Sequence, residues 1–212
     1  MTTTDTTTPT VGRDPAPPAR SATVRVAPRE IHDVAFRAMR VAGASGGEAT
    51  LAARAVVAAQ LHPSSPDGLA ALLDELTRVR PAQIGARFAP GPVPVLQDPA
   101  RRGLFFAVPA GVEHLLAHPD VTAVLLPTVR LRPAARALAA VTAGPRASEL
   151  ELLDPPGCPT AGILVRRILP GLRPHAQEPP RLAHAETTGV LLDAGLWAAA
   201  RDAARAYLVP DS

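Results

Sequence analysis

His114 and His118 stand four residues apart in the segment GVEHLLAHP, a spacing that brings two side chains onto one face of a helix. Two imidazoles placed in this way, with Glu113 and Asp120 nearby in sequence, could bind a metal ion. The segment lacks the glutamate of the H-E-x-x-H zinc motif, and Pro119 ends the predicted helix directly after the second histidine. We favour the alternative that both histidines flank the buried face of an amphipathic helix. The sequence therefore predicts no metal, and His114 and His118 are the candidate ligands if one binds.

Cys158 is the only cysteine, which excludes an intramolecular disulfide and a cysteine-based metal cluster. It lies in the loop PPGCPT, with no neighbour in sequence that would activate a thiolate. A catalytic cysteine needs a histidine beside it in space, and His175 and His184 are the partners that the chain offers. We interpret Cys158 as a free thiol in a loop.

Sequence motifs that bind nucleotides are missing. No Gly-x-Gly-x-x-Gly occurs, and a P-loop cannot occur because the chain contains no lysine. The glycine-rich stretch GASGG joins two predicted helices, so it is explained as the end of one helix and the cap of the next. There is no Gly-x-Ser-x-Gly elbow either. These patterns predict that the protein uses no cofactor.

The composition is typical of a globular protein, because 47% of its 212 residues are hydrophobic and only 3% are aromatic. The core must then be built from Ala, Val and Leu. All 22 basic residues are arginines and 19 residues are acidic, which gives a net charge of +3. The arginines are spread along the chain, whereas a nucleic-acid-binding surface clusters them, so no nucleic-acid partner is expected. No apolar stretch has the length of a membrane span or the character of a signal peptide, which predicts a cytoplasmic protein without membrane contact.

Changes in composition divide the chain into four regions. Threonine and proline dominate the first region, which cannot bury apolar area and is predicted to be disordered. Another proline-rich stretch, FAPGPVPVLQDP, is the best internal boundary. The regions are a tail over residues 1–23, a helical module over 24–87, a Pro-rich connector over 88–99 and an α/β domain with a C-terminal amphipathic helix over 100–212.

Capping residues and helix breakers mark three helices in the helical module. Short helices joined by tight turns predict a small bundle. The predicted helices begin at Pro28 and end at Gly43, begin at Ser45 with a Ser45–Glu48 capping box and break at His62-Pro63, and begin at Ser65-Pro66 and end at Pro81.

The second half mixes short apolar runs with amphipathic segments. Leu104–Val108 and Val121–Leu126 are predicted strands, because short continuous apolar runs bounded by Gly and Pro are typical of buried strands. A short helix is predicted between them, Pro133–Val141 is a further predicted helix, and Ala194–Leu208 is the last. The remaining predicted strands are ELELL and GILVRRIL, and the segments RLAHAET and GVLLD are predicted to flank a turn at Thr188-Gly189. The predicted fold is α+β (or α/β): an N-terminal three-helix bundle followed by a mixed sheet domain with a C-terminal helix.

The segment REIHDVAFRAMRVAGASGGEATLAARAVVAAQLHPSSPDGLAALLDEL resembles the N-terminal helices of the type-2 malate/L-lactate (and sulfolactate) dehydrogenases. In that family an Asp-Ser-His-Gly turn opens a Leu-rich helix, and its histidine lies near the nicotinamide and the substrate. The resemblance puts Asp67 at the place of that histidine and makes it the catalytic candidate. A carboxylate only accepts hydrogen bonds at neutral pH, so it cannot simply replace an imidazole. Its ordinary role is that of an anion near a helix N-terminus.

A closer resemblance is to an uncharacterised bacterial family, domain of unknown function 3726, which has the same helices without the histidine. That family also carries a C-terminal stretch V-D-x-x-L-W-A-x-L-x-x-x-A-x-x-x-Y-V-P, which is similar to GVLLDAGLWAAARDAARAYLVP here. The matching residues are Asp193, Leu196, Trp197, Tyr207 and Pro210. Their ordinary reading is structural, with Asp193 as a helix cap and Trp197 and Tyr207 in a docking helix.

These observations favour a non-catalytic accessory or binding protein that uses the dehydrogenase-like helical module as an interaction surface. The module keeps its caps and apolar faces, while the cofactor motif and the turn histidine are both absent. The alternative is a divergent oxidoreductase-like enzyme that acts on a small hydroxy or amino acid, with a site in residues 100–187. We expect a homodimer or a protein partner, and the sequence does not identify a small-molecule ligand.

Overall fold

The computed structural model describes residues 22–62, 66–76, 87–97, 103–127, 129–155, 162–168 and 182–205. Strands and helices are interspersed through these ranges, with one 3-10 helix at Gly144–Glu149. In chain order the elements are β1 (Thr23–Val26), α1 (Pro28–Val41), α2 (Gly46–Gln60), α3 (Gly68–Leu76), β2 (Arg87–Ala89), β3 (Val95–Gln97), α4 (Leu104–Ala117), β4 (Ala123–Leu126), α5 (Pro133–Ala143), β5 (Leu150–Leu153), β6 (Ile163–Arg167), α6 (Leu182–Thr188), β7 (Val190–Asp193) and α7 (Ala194–Arg205).

The predicted α+β class is confirmed, and the strands form two sheets. The larger sheet has the order β2-β3-β4-β6-β5, in which β3 and β4 are parallel and the other neighbours are antiparallel. The smaller sheet is an antiparallel pair of β1 and β7, with Val26 opposite Val190. Each strand of this pair leads into a helix, α1 or α7, and these two helices pack on each other. The helical module and the C-terminal helix therefore meet.

The first two helices form as predicted and begin at the residues that the sequence indicated. Pro28 is the first residue of α1, and Ser45 caps α2. Oγ of Ser45 accepts a hydrogen bond from the Glu48 amide at 3.3 Å, and Oε2 of Glu48 accepts one from the Ser45 amide at 2.8 Å. The third helix begins at Gly68, two residues later than Pro66, and Ser65 lies outside the described residues. Asp67 directly precedes this helix, and its carbonyl oxygen accepts a hydrogen bond from the amide of Ala71 at 2.7 Å.

The prediction of a strand over Leu104–Val108 is wrong, because these residues form the first turns of the long helix α4. The run is short, continuous and apolar, and such a run cannot be told from a buried helix by its periodicity. In the folded chain Leu104, Val108, Val112 and Leu115 are all fully buried at helical spacing. Pro109 lies inside the helix, which continues through it. The proline was therefore no boundary here.

The Pro-rich stretch predicted as a connector contributes two strands, β2 and β3, to the larger sheet. Proline has no amide to donate, so within sheets it is confined to bends, edges and strand starts. Pro92 lies in the bend between the two strands. Pro94 directly precedes β3, where its carbonyl oxygen accepts a hydrogen bond from the amide of Leu125 at 2.9 Å. The prolines thus occupy positions that a strand pair tolerates.

The other predicted elements are found close to their expected bounds. They are the helix α5, the strands β4, β5 and β6, and the helix α7, while α6 and β7 lie on either side of the turn predicted at Thr188-Gly189. Helix α4 packs on β4 and β6, α5 packs on α4, and α2 packs on α5. Helix α5 therefore lies between the sheet and the helical module. The buried side chains are mainly Ala, Val and Leu, as the composition predicts, and Phe105 is the buried aromatic residue of the described chain.

Candidate functional site

Asp67 lies in the turn before α3, and its carboxylate reaches the amino-terminal end of α5. Oδ1 accepts a hydrogen bond from the amide of Ala134 at 3.1 Å, and Oδ2 accepts one from Nε of Arg132 at 2.8 Å. Arg132 is the N-cap residue of α5, but its own side chain makes no cap hydrogen bond. Asp67 therefore supplies the cap that α5 lacks locally, and it satisfies an amide that a first helical turn leaves open.

The charge of Asp67 is balanced in the same contact. Nη1 of Arg132 also donates to Oδ2 of Asp74 at 3.2 Å, so the guanidinium joins two carboxylates at α3. The side chains of Asp67 and Arg132 are only 16% and 22% exposed. A carboxylate near a helix N-terminus is also favoured by the helix dipole. Both oxygens of Asp67 are engaged by the fold, and this makes Asp67 part of the scaffold.

Two buried polar side chains of the helical module cap other helices in the same way. Oε1 of Gln60 accepts a hydrogen bond from the amide of Leu69, in the first turn of α3, at 3.0 Å. Oε2 of Glu75 accepts one from the amide of Leu104, at the start of α4, at 2.9 Å. We call Gln60, Asp67, Glu75 and Arg132 the cap junction. Its three acceptors each close the first turn of a helix that another segment supplies.

Sequence reasoning missed Gln60 and Glu75, although a signal was present. Each occupies the buried face of its helix, next to apolar residues such as Val56 and Leu72. A buried polar side chain requires a hydrogen-bond partner, so a polar residue on an apolar face indicates a structural contact. The sequence does not reveal which amide is that partner, because the donors lie in other helices.

Gly68 sets how closely α3 approaches α2. A Cβ atom built on this residue would lie 2.0 Å from the carbonyl oxygen of Val56 and 2.9 Å from the amide nitrogen of Gln60. Both neighbours are backbone atoms of α2, so they cannot move aside as a side chain does. The glycine therefore permits the helix contact that places Gln60 and Asp67 in the cap junction.

His114 and His118 do come together, at the end of α4. Their rings stack with centroids 4.2 Å apart. The ring of Phe88 also stacks on the ring of His114, with centroids 4.0 Å apart. Nδ1 of His118 donates to the carbonyl oxygen of His114 at 2.8 Å. Burial lowers the pKa of His114, nearby His118 lowers that pKa further, and Asp120 raises it. No group of three or more His, Cys, Asp or Glu side chains suited to a metal occurs among the described residues.

The remaining candidate residues lie either on α6 and α7 or outside the described residues. Cys158 and His175 lie outside the described residues, and His184 is exposed on α6, so no thiolate–imidazole pair is described. At the start of α7, Oδ1 of Asp193 accepts a hydrogen bond from the amide of Leu196 at 2.9 Å, which is the predicted cap. Trp197 packs against the core as a docking side chain, as expected. Tyr207 and Pro210 also lie outside the described residues.

A concave site that the sequence did not predict lies between α2 and α5. It has a volume of about 400 Å³, and we call it the α2–α5 groove. Its walls are built from small apolar side chains, which leave room between the helices, and its polar members are Arg54, His62 and Arg136. The lining residues are Arg54, Ala58, Ala59, His62, Pro133, Arg136, Ala137, Ala140, Val141, Gly144 and Ala147.

The polar side chains of the α2–α5 groove differ from those of the cap junction. Among the described residues, no carboxylate lies within ion-pair distance of Arg54 or Arg136. Both arginines are exposed. Nδ1 of His62 is buried, and within the described part of the chain it has no hydrogen-bond partner. The groove therefore combines an apolar floor with positive charge and an unsatisfied imidazole nitrogen.

The chain was compared with protein-family models and with curated proteins, and neither comparison gives a match. Within the described ranges, no helix has both the length and the apolar character needed to cross a membrane.

Proposed function

We propose that this chain is a non-catalytic accessory or binding protein. The observation that supports the proposal is the position of Asp67. In the dehydrogenases that the helical module resembles, the corresponding turn carries the histidine that lies near the nicotinamide and the substrate. Here both carboxylate oxygens of Asp67 are held, one by the amide of Ala134 and one by Arg132. The turn thus caps a helix, and its polar groups are used by the fold.

The same proposal extends to location and assembly. We expect a cytoplasmic protein, and we expect it to form a homodimer or to bind a protein partner through the helical module. Light scattering of the purified chain at several concentrations measures the mass in solution. A mass twice that of the chain supports the dimer, and a monomer at every concentration removes it.

The competing function is a divergent oxidoreductase that acts on a small hydroxy or amino acid. The decisive experiment incubates the full chain with reduced and oxidised nicotinamide cofactors and a panel of 2-oxo, 2-hydroxy and amino acids, and follows the absorbance of the nicotinamide. The proposal predicts no turnover with any pair. Turnover that Asp67→Asn abolishes and an exposed control, Asp33→Asn, retains would establish the enzyme instead.

A further inference from the structure

The α2–α5 groove has the size and lining of a small-molecule site. Its volume of about 400 Å³ lies within the range of about 300–1,000 Å³ in which ligand pockets fall. Most of its lining is alanine, valine, proline and glycine, which offers an apolar surface without polar groups to desolvate. Such pockets usually add a few polar groups that fix the orientation of the ligand. In this groove those groups are Arg54, His62 and Arg136.

The charges of these polar groups select the sign of the ligand. A guanidinium stays protonated under ordinary conditions and presents several donors that match the oxygens of a carboxylate or phosphate. Arg132, in the cap junction, already uses its guanidinium on Asp67 and Asp74. Arg54 and Arg136 have no such acidic partner among the described residues, so their donors remain available to a ligand.

His62 contributes its ring to the wall of the groove. Its Nδ1 atom is shielded from solvent and has no partner within the described residues. A buried polar atom without a partner is rare in proteins and calls for an explanation. Because Nδ1 has almost no accessible surface, a ligand in the groove contacts the ring of His62 and does not reach this atom, so the charge selection rests on Arg54 and Arg136.

We propose that the α2–α5 groove binds a small organic oxyanion, a carboxylate or a phosphate monoester, that carries a short aliphatic body. Arg54 and Arg136 bind the oxyanion, the ring of His62 forms part of the wall, and the aliphatic body lies on the floor made by Ala58, Ala59 and the alanines of α5. This inference rests on the proposed binding function and names its ligand class. The anionic head explains the unpaired arginines, and the aliphatic body explains the apolar floor.

Thermal unfolding of the full chain with matched four-carbon probes tests the inference. Butyrate, 1-butanol and butylammonium each contain four carbons and differ in charge, while butyl phosphate carries the butyl chain of 1-butanol on the other oxyanion. A ligand that binds only the folded state raises the melting temperature in proportion to its affinity. Butyrate or butyl phosphate should raise it in a saturable way, and 1-butanol and butylammonium should not. The response to the two oxyanions distinguishes a carboxylate site from a phosphate site.

Calorimetric titration with the better probe then assigns the residues. Arg54→Gln and Arg136→Gln should each weaken binding about tenfold or more, because each removes a charge-assisted contact. His62→Phe keeps a ring in the wall of the groove and should change the affinity little. Arg201→Gln, an exposed arginine on α7, is the matched control and should leave the affinity unchanged.

Three results would overturn the inference. The first is a response to 1-butanol as large as that to butyrate, because the arginines would then not select the ligand. The second is an equal response to inorganic phosphate, because the apolar floor would then add nothing. The third is no response to any oxyanion. Failure here is separate from failure of the proposed non-catalytic function, which turnover of a nicotinamide cofactor would contradict.

Discussion

The cap junction and the α2–α5 groove both involve α5 and the helical module, yet their polar groups are used in opposite ways. In the cap junction each of Gln60, Asp67 and Glu75 accepts a hydrogen bond from a helix amide, and Arg132 neutralises the acidic charge. In the groove the arginines have no acidic partner among the described residues, and Nδ1 of His62 has no hydrogen-bond partner there. Polar groups that the fold satisfies support structure, and the exposed arginines that it leaves unpaired are available for a ligand.

Gly68→Ala should break the cap junction most severely. The new methyl group would meet the Val56 carbonyl oxygen and the Gln60 amide, which are backbone atoms and cannot rotate away. Overpacking usually costs about 1–3 kcal/mol, and a clash with backbone belongs at or above the upper end of that range. Chemical denaturation monitored by circular dichroism measures the loss. Gly47→Ala is the control, because a Cβ there has no neighbour within 4 Å, and it should leave the free energy of unfolding unchanged or slightly raised.

Glu75→Leu should have the next largest effect, because it leaves the buried amide of Leu104 without its acceptor. A buried donor that loses its partner costs about 1–3 kcal/mol of stability. Glu75→Gln keeps an acceptor oxygen and should cost less. Glu113→Leu, at an exposed position of α4, should change the free energy of unfolding by less than about 0.5 kcal/mol. Equal losses from Glu75→Leu and Glu113→Leu would show that the cap contributes nothing.

Asp67→Ala should lower stability by about 0.5–2 kcal/mol, which is the usual cost of removing a helix cap. Asp67→Asn keeps an oxygen for the amide of Ala134 and loses only the ion pair with Arg132, so its loss should be smaller. Thermal unfolding of the wild type and both variants ranks their stabilities. If Asn were as costly as Ala, the ion pair with Arg132 rather than the cap would carry the contribution.

The smallest effect concerns the pH dependence of stability at His114. Burial first, and then His118, lower the pKa of His114 from 6.5, against the opposing effect of Asp120. Because the folded state disfavours protonation, its contribution is fully present above 6.5 and is lost as the pH falls through the lowered value. The stabilities of wild type and His114→Phe should therefore run parallel above pH 6.5, and below it the wild type should lose stability relative to the variant until the pH has passed the lowered pKa. Parallel curves at all pH values would show that His114 does not couple protonation to folding.

The sequence predicted those elements whose signals are local. Ser45 and Glu48 form a capping box within one turn, and Asp193 caps the helix that it precedes, so both could be read from neighbouring residues. The run Leu104–Val108 was misread, because its apolar pattern fits a buried strand and a buried helix equally well. The helix is favoured over the strand by a distant contact, because the Glu75 carboxylate, 29 residues away in sequence, caps this helix.

The candidate sites show the same limit. Asp67 was recognised as an anion near a helix N-terminus, but the helix that it caps is α5, whose first residue lies far along the chain. The α2–α5 groove could not be predicted at all, because Arg54 and Arg136 share a surface only after α2 packs on α5. Residues that come together only through tertiary contact have no characteristic spacing in the sequence by which they could be recognised.

The most direct test of the account is differential scanning calorimetry of wild type, Asp67→Ala and Arg136→Gln, each with and without butyrate. The account predicts that Asp67→Ala melts at a lower temperature and keeps the shift caused by butyrate. It predicts that Arg136→Gln melts as the wild type does and loses most of that shift. An Asp67→Ala variant with unchanged stability and no response to butyrate would contradict the account, because Asp67 would then belong to the binding site and not to the scaffold.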